Sequence, residues 1–417
     1  MSAARQGGRV LSGGDRSVAR RLERALKSPA REREIHESAT HPVHTYAARL
    51  HPATARDLVE LLLEPVSSET PSVLDPFCGA GTVLVEARLA GARPIGVDIN
   101  PLAVAISRAK TWDVPAERRA ELLRRGKEIA AATLAEGKAA RRSGYEPQAP
   151  RAPRGADPKQ RDRGLEGWFS PHVRRELEFL AAAIDEVKAD DKGLAAVLEV
   201  LLSSILYKVS RRAADTDPST ATRRVARGAA ARLFRQRVEM LAAGLDELCA
   251  VPAAGRPRIL RGDARNLAKL KVEDASVDAV ITSPPYAGTY DYVDQHGLRL
   301  AFLGWSEREF EAREIGARRH FRGSRERAMD QFGQDLGRVL DEIGRVLLPG
   351  GLAAVVIGDS LAGGKAVYAD DVIRELTRKP LRVRAWASQA RPTRGAAEAR
   401  AFSDREKREH ILLLEKA

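Results

Sequence analysis

The residues best suited to chemistry stand in one short run, Ser283-Pro284-Pro285-Tyr286, directly after an apolar segment that is typical of a buried strand. Two consecutive prolines remove backbone donors and fix φ, so the segment is stiff and its carbonyl oxygens stay available as acceptors. The serine adds a hydroxyl group and the tyrosine adds a flat ring. Such a rim can hold a planar base by stacking and can accept hydrogen bonds from an exocyclic amine.

A second feature with chemical meaning is a glycine turn, DPFCGAGT at residues 75–82, which follows another short apolar strand. The next predicted strand, residues 94–98, ends in Asp98. In a doubly wound sheet, glycines let the backbone approach a ligand, and an acid after the second strand binds ribose hydroxyls. The sequence therefore predicts a nucleotide-like cofactor. A dehydrogenase is disfavoured because the nicotinamide fingerprint requires a third glycine where this chain has Leu84.

These motifs resemble those of the amino-methylating S-adenosylmethionine-dependent methyltransferases, and most of all the DNA cytosine-N4 methyltransferases. Residues 75–82 match the family's cofactor loop, DPFxGxGT, and residues 283–286 match its catalytic tetrapeptide. Residues 258–263 match the strand whose acid, Asp263 in this chain, contacts the adenine amine of the cofactor. Residues 41–63 resemble the motif that precedes the glycine loop.

The likeness extends over roughly residues 40–110 and 255–417. It implies S-adenosyl-L-methionine as the cofactor and double-stranded DNA as the substrate, with the base flipped, since a base inside a duplex cannot reach the loop. It leaves open a companion restriction endonuclease in a restriction-modification system. The implied cofactor-binding residues are Tyr46, Asp75, Pro76, Phe77, Gly79, Gly81, Thr82, Asp98, Ile99, Asp263 and Ala264.

The tetrapeptide favours direct methylation of an amino group. The exocyclic amine of cytosine is a poor nucleophile because its lone pair is delocalised into the ring. Ser283 Oγ and the Pro284 carbonyl are candidate acceptors for its hydrogens, and such orientation and charge stabilisation is worth roughly 10²–10³ in rate. Tyr286 would stack on the base, and Pro285 completes the catalytic set. Methylation of a ring carbon would need a cysteine after a proline, and this chain contains no Pro-Cys pair.

Three other functions stay open on the sequence alone. Adenine-N6 methylation of DNA is one, because serine at the first position of the tetrapeptide correlates only imperfectly with cytosine. Guanine-N2 methylation of RNA is disfavoured, because only about forty residues precede the methyltransferase core and leave no room for a separate RNA-binding domain. A catalytically silent nucleic-acid-binding protein would have no need of Asp75, Gly79, Gly81, Asp98 and Ser283.

Composition bounds the partners and the compartment. The chain of 417 residues has 70 Lys plus Arg against 57 Asp plus Glu, a net charge of +13 that favours a polyanionic partner, although a GC-rich genome explains it equally well. Two cysteines cannot build a disulfide framework. The most apolar stretch, residues 194–209, is too short for the roughly 20 residues of a membrane span. The sequence therefore predicts a cytoplasmic protein.

The spacing of His36, His41 and His44 suits no standard cluster, and no metal is predicted.

The predicted fold class is α/β, a Rossmann-like doubly wound sheet of the class I methyltransferase type, with a helical insertion between its second and third strands. Four regions follow: a flexible basic tail, a first part of the methyltransferase domain, a mainly helical insertion that is a possible DNA-recognition region, and a second part with the tetrapeptide. These are residues 1–38, 39–112, 113–257 and 258–417.

Arginines on a polar connector of the insertion are candidates for contact with the DNA backbone. A solvated face explains the same residues without any partner. An arginine-rich run at residues 313–327 is a second candidate. The predicted nucleic-acid-binding residues are Arg211, Arg212, Arg223, Arg224 and Tyr290.

Overall fold

A mixed sheet of eight strands runs through the part of the chain that the structure, a computed structural model, describes. That part comprises residues 8–31, 34–46, 49–143, 165, 167–212 and 224–417. The strands are β1 (Val10–Gly14), β2 (Ser72–Asp75), β3 (Arg93–Asp98), β4 (Arg258–Arg261), β5 (Val277–Thr282), β6 (Leu347–Gly358), β7 (Ser360–Ala362), β8 (Lys365–Val367), β9 (Leu381–Ala390) and β10 (Arg408–Lys416).

The order of the strands creates a ligand-binding crevice beside β2. From one edge, the order is β1-β9-β10-β6-β5-β2-β3-β4, and β7 and β8 form a separate ribbon. β2 pairs in parallel with both β3 and β5, so β4 continues the sheet on one side of β2 and β6 on the other. Ligands bind at the carboxyl ends of the strands where the order reverses in this way. With β10 antiparallel to both β6 and β9, the predicted Rossmann-like methyltransferase fold is confirmed.

Helices cover both faces of the sheet. Val73 and Leu74 are successive residues of β2 and belong to different core clusters, as expected for a strand that is buried on both sides. The helices are α1 (Arg16–Arg31), α2 (Pro52–Leu63), α3 (Thr82–Leu89), α4 (Pro101–Lys110), α5 (Ala116–Ser143), α6 (Pro171–Asp190), α7 (Lys192–Val209), α8 (Ala229–Ala250), α9 (Tyr292–Leu303), α10 (Arg308–Arg313), α11 (Arg325–Val346), α12 (Ala369–Leu376) and α13 (Gly395–Ala401).

The stretch predicted as a helical insertion, residues 113–257, contains α5 to α8, and it lies between β3 and β4. Its centre is α7, where Leu198 and Leu201 have no solvent exposure. Leu102 and Ile106 of α4 belong to the same core cluster, so the insertion packs on the helix that follows Asp98. Among the described residues, no helix combines the length and the apolar character that crossing a bilayer requires.

The amino-terminal region differs from the mobile tail that the sequence predicted. In its described part, β1 pairs antiparallel with β9, and α1 packs against α2. Val18, Leu22 and Leu26 of α1 are buried. Their spacing of four residues is that of one helix face, and the abundance of arginine and glycine around them conceals it. The prediction of a flexible tail is therefore wrong for residues 8–31.

Candidate functional site

The loop between β2 and α3 forms one wall of the site. Gly79 and Gly81 take positive φ angles of 48° and 73°, which other residues adopt only with strain. A side chain at Gly81 would also lie 2.9 Å from Ser107 Oγ of α4. The N–H of Cys78, which is buried in the turn, donates to the Val97 carbonyl at 2.9 Å and so ties the loop to β3. The two glycines of the motif are therefore required by the shape of the turn.

Asp98, the predicted ribose-binding acid, stands at the end of β3 beside this loop. Its Oδ2 accepts the N–H of Gly79 at 2.9 Å, and its Oδ1 accepts the N–H of Asn100 at 2.8 Å. Burial raises the pKa of Asp98 to about 6, although both hydrogen bonds act in the opposite direction. A carboxylate held by two backbone donors still has lone pairs left for the hydroxyl groups of a ligand.

Asp75, at the end of β2, connects the loop with the strand that carries the tetrapeptide. Its Oδ1 accepts a hydrogen bond from Thr282 Oγ1 at 2.8 Å and another from the N–H of Phe77 at 3.0 Å. Burial raises the pKa of Asp75 to about 7, against the lowering effect of these two hydrogen bonds. Because Ser283 follows Thr282 directly, this contact fixes the position of the tetrapeptide relative to the glycine loop.

One cavity brings the two predicted motifs together. Ser283 and Pro285 line it along with the glycine loop, whereas Gly81 shapes the turn without lining the cavity. The predicted cofactor-binding residues that line it are Tyr46, Asp75, Pro76, Phe77, Gly79, Thr82, Asp98, Ile99, Asp263 and Ala264.

The other half of the tetrapeptide faces the sheet rather than the cavity. Pro284 is buried, and Tyr286 packs on the core cluster that β5 and β6 share. A side chain at Gly358 would lie 2.9 Å from the Tyr286 ring, so this ring rests against the backbone of β6. Burial raises the pKa of the Tyr286 phenol, and a hydrogen bond with the Ser283 side chain has a smaller, opposite effect. Tyr286 thus contacts Ser283 from behind.

The tyrosine that lines the cavity is Tyr292, in the first turn of α9. Its ring is nearly parallel to that of Tyr46, with 6.4 Å between centroids, and Tyr46 stacks on His296 at 4.6 Å. The only sequence signal for Tyr292 is the crowding of three tyrosines at positions 286, 290 and 292. Sequence reasoning did not single out several other cavity residues. Arg49 and Leu50 lie within the motif at residues 41–63, and Arg313 begins the arginine-rich run, whereas no sequence signal marks Phe310, Glu314 and Ile315.

Asp263 lines the cavity, but its carboxylate already has a partner. Arg265 donates from Nε to Oδ1 at 2.9 Å and from Nη2 to Oδ2 at 2.7 Å, and its Nη1 lies 2.8 Å from Asp335. Burial alone would raise the pKa of Asp263, but the hydrogen bonds from Arg265 outweigh it and lower the pKa. Asp263 is therefore ionised at neutral pH and retains lone pairs for a ligand amine.

The predicted nucleic-acid-binding residues that the structure describes differ in their environments. The guanidinium of Arg212 lies over the ring of Trp168, 4.8 Å from its centroid, which gives this arginine a packing role. Arg211 and Arg224 are exposed, Tyr290 is half-buried with its ring 5.5 Å from that of Tyr292, and Arg223 lies outside the described residues.

The histidines near the amino terminus make contacts within the protein. His41 Nε2 lies 2.6 Å from Glu86 Oε1, and His44 Nε2 lies 2.9 Å from Ser203 Oγ. Both imidazoles are buried, and burial lowers the pKa of His44. The side chain of His36 lies outside the described part of the chain.

The donors and acceptors of the cavity fit the predicted cofactor. Thr82 Oγ1 is buried without a hydrogen-bond partner among the described residues, at a cost of about 1–3 kcal/mol that a polar ligand would offset. Asp98 offers acceptors for ribose hydroxyls, and Phe77 and Ile99 offer apolar surface. This set suits a nucleoside that carries a polar, charged tail.

Fold and site together define a Rossmann-like methyltransferase domain with a cavity for a nucleoside-type cofactor. Comparison with known proteins narrows this class. Residues 25–109 match a family model described as DNA methylase, and this range contains the glycine loop and Asp98. The match confirms the resemblance to DNA amino-methyltransferases and supports S-adenosyl-L-methionine as the cofactor.

Two curated relatives are type II methyltransferases. M.MvaI of Kocuria varians is 41% identical over 75 residues, which are 18% of this chain and 16% of that protein. M.BsoBI of Geobacillus stearothermophilus is 25% identical over 272 residues, which are 61% of this chain and 51% of that protein. The chain therefore spans about half or less of the length of these relatives. Among solved structures, the rRNA methyltransferase aviRa of Streptomyces viridochromogenes is similar over 94% of this chain and 96% of that chain, with 13% identity and a TM-score of 0.34, too low for any conclusion about function.

Proposed function

We propose that this protein transfers a methyl group from S-adenosyl-L-methionine to the N4 amine of a cytosine that is flipped out of DNA. The observation that carries the proposal is the single cavity lined by both the glycine loop and Ser283. A methyl donor bound against the loop would lie next to the tetrapeptide, and transfer requires donor and amine at near-contact distance. The match to DNA methylases and the net charge of +13 favour DNA as the substrate.

The chain's own residues would bind and orient the two reactants. Asp98 would bind the ribose hydroxyls of the cofactor, and Thr82 would offer its unpaired hydroxyl to a polar group. When bound, S-adenosylmethionine supplies an electrophilic methyl group on a positively charged sulfur. Ser283 Oγ would accept a hydrogen bond from the target amine and turn the nitrogen lone pair toward that methyl group. The new N–C bond would replace the S–C bond, and the methylated amine would then release one proton to water. Direct transfer of this kind needs no covalent intermediate on the protein.

A flipped base in this cavity would find an aromatic face at Tyr292. Tyr286 is held against Gly358 and the core, so it would support Ser283 rather than stack on the base. Stacking of a base on an aromatic ring is worth roughly 1–3 kcal/mol. Tyr292→Leu should therefore raise the KM for DNA about five- to hundredfold, while Tyr286→Phe should leave it nearly unchanged.

The decisive assay incubates the protein with S-adenosylmethionine labelled on its methyl group and double-stranded DNA, followed by digestion and identification of the methylated nucleoside. N4-methylcytosine is the expected product. N6-methyladenine would move the substrate to adenine with the same site, and incorporation into RNA but not DNA would reject the proposal.

Ser283→Ala tests the role of the tetrapeptide. Without the hydroxyl acceptor, kcat should fall by roughly 10²–10³, whereas the Kd for S-adenosylmethionine should stay within about twofold. The matched control is Ser276→Ala. Ser276 directly precedes the first residue of β5, and its hydroxyl group donates a hydrogen bond to the Glu273 carbonyl. Equal loss of turnover in both variants, or parallel loss of turnover and cofactor affinity in Ser283→Ala, would contradict the assignment.

A further inference from the structure

Lys110, at the end of α4, is one of the largest fully buried side chains in the described part of the chain. Its Nζ donates to the carbonyl oxygen of Ala80, in the cofactor loop, at 3.0 Å. Burial lowers the pKa of this amine to about 7; the charge of Arg49 adds to that effect and the charge of Glu86 opposes it. A buried methionine would fill similar space without desolvating an amine, so the hydrogen bond itself requires an explanation.

Ser107, one turn earlier on α4, makes a second contact of the same kind. It has no solvent exposure, and its Oγ donates to the Gly79 carbonyl at 2.9 Å. Residues three apart lie on one face of a helix, so Ser107 and Lys110 point together at the loop. Two successive carbonyl groups of the cofactor loop are therefore drawn toward α4 by side-chain donors.

The direction of these carbonyls determines which groups the loop presents to a ligand. In a trans peptide, the C=O and the following N–H point in opposite directions. With the Gly79 carbonyl directed at Ser107, the Ala80 N–H must point away from α4, toward the cavity that Gly79 and Ala80 line. With the Ala80 carbonyl directed at Lys110, the Gly81 N–H turns back to the Cys78 carbonyl, to which it donates at 2.7 Å.

The opposite end of α4 contacts the other half of the cofactor site. Asn100 caps the helix by accepting the N–H of Leu102 at 3.0 Å, and its own N–H donates to Asp98. One helix of 10 residues, about 15 Å long, thus holds the ribose acid at its first turn and the loop carbonyls at its last turn.

We propose that Ser107 and Lys110 are positioning residues for the cofactor, which hold the Gly79 and Ala80 carbonyls against α4 so that the Ala80 N–H faces the ligand. This inference rests on the proposed function, because it takes the cavity to hold S-adenosylmethionine. Neither side chain lines the cavity, so both act through the loop.

The test measures the Kd for S-adenosylmethionine by calorimetry for the wild type, Lys110→Met and Ser107→Ala, at a temperature where thermal scans show every protein folded. Each variant should bind roughly three- to tenfold more weakly, the effect of losing one hydrogen bond. In Ser107→Ala, which removes no titratable group, the pH dependence of binding, which reports on Asp98 at the other end of α4, should keep its wild-type midpoint. A site that is merely loosened throughout would lose that midpoint as well.

The matched control is Thr111→Val, on the same turn of the helix. Thr111 is buried, and its Oγ1 donates to the Ser107 carbonyl at 2.8 Å without reaching the loop. It should bind the cofactor like the wild type. Wild-type affinity in both Lys110→Met and Ser107→Ala, or an equal loss in Thr111→Val, would overturn the inference. A wild-type protein that binds no S-adenosylmethionine would refute the proposed function together with it.

Discussion

Replacing Asp98 by asparagine should weaken cofactor binding while it leaves folding stability nearly unchanged. The carboxylate is held by the N–H groups of Gly79 and Asn100, yet burial raises its pKa from 3.8 to about 6. An ionised Asp98 therefore lowers the free energy of unfolding of the ligand-free protein at neutral pH. That ionised group is what charge-assisted hydrogen bonds to ribose hydroxyls require.

The magnitude follows from the shift in pKa. The folded state binds the proton more tightly than the unfolded state between pH 3.8 and about 6, so stability falls as pH rises through this window and stays reduced above it. The difference of 6 − 3.8, about two units, corresponds to about 3 kcal/mol. Asparagine removes the charge and with it this cost, but its Nδ2 is a donor, so one of the two backbone N–H groups that Asp98 accepts loses its acceptor at a cost of about 1–3 kcal/mol. The two contributions offset each other to within about 2 kcal/mol, and with an unfolding entropy of about 2.1 cal/mol/K per residue the Tm of the ligand-free variant should stay within roughly 2 °C of the wild-type Tm at pH 7.5.

Cofactor binding should respond much more strongly than folding stability. Loss of hydrogen bonds to a charged group costs about 1.5–3 kcal/mol, so the Kd for S-adenosylmethionine should rise roughly ten- to hundredfold in Asp98→Asn at pH 7.5. In the wild type, Asp98 is ionised in only about one tenth of the molecules at pH 5. The Kd at pH 5 should therefore be about tenfold higher than the Kd at pH 7.5. Asp98→Asn should lose this part of the pH dependence.

The assay combines calorimetric titration between pH 5 and pH 7.5 with thermal unfolding of the ligand-free proteins. Burial also raises the pKa of Asp75, to about 7, so this acid could contribute to the pH dependence of the Kd. Asp75→Asn removes that contribution and leaves the one from Asp98, whose pKa is about 6. Asp278→Asn is the matched control, since Asp278 accepts hydrogen bonds from Ser72 on the same sheet and does not line the cavity. An Asp98→Asn variant with an unchanged Kd would refute the reasoning, because the carboxylate would then make no contact with the cofactor.

Three further predictions concern the framework around the site. Gly96→Ala places a methyl group 2.6 Å from Leu84 Cδ1 behind the cofactor loop, and should destabilise the protein by about 1–3 kcal/mol in urea unfolding; unchanged stability would mean that the loop yields freely. Asp359→Ala removes a buried carboxylate that accepts His410 Nε2 at 2.9 Å, and should cost about 3–5 kcal/mol while the Kd for S-adenosylmethionine stays the same; a weakened Kd would connect this network to the cavity. Leu198→Ala, in the centre of the insertion, should cost about 2–5 kcal/mol by urea unfolding, and a smaller loss would show that the helices repack around it.

Most of the central sheet and half of the site could be predicted from local sequence. Two short apolar runs predict the strands that end at the cofactor loop and at Asp98. Because these two strands are parallel neighbours, the glycine loop and Asp98 lie at the same edge of the sheet. The same holds for Ser283 after β5, because β5 pairs with β2. The roles of these residues in binding and catalysis stay predictions.

The amino-terminal region shows where local patterns fail. Val10 lies opposite Gln389 in the sheet, and no short-range pattern relates two segments so far apart in the chain. Composition marks this region as polar and glycine-rich, although α1 has one apolar face. The strand forms because the edge of β9 offers unpaired backbone groups, which only the assembled sheet creates.

By itself, the sequence determined the strands that precede the cofactor loop, Asp98 and Ser283, and the residues of that loop, because strand patterns and glycine turns are properties of neighbouring residues. Only the tertiary structure decided that Tyr292 rather than Tyr286 faces the cavity, and that Lys110 is buried against the loop. Burial and ring orientation depend on which distant elements pack against a residue, here β6 behind Tyr286 and the glycine loop beside Lys110. Such contacts arise from the packing of a whole domain, which no local window of the chain contains.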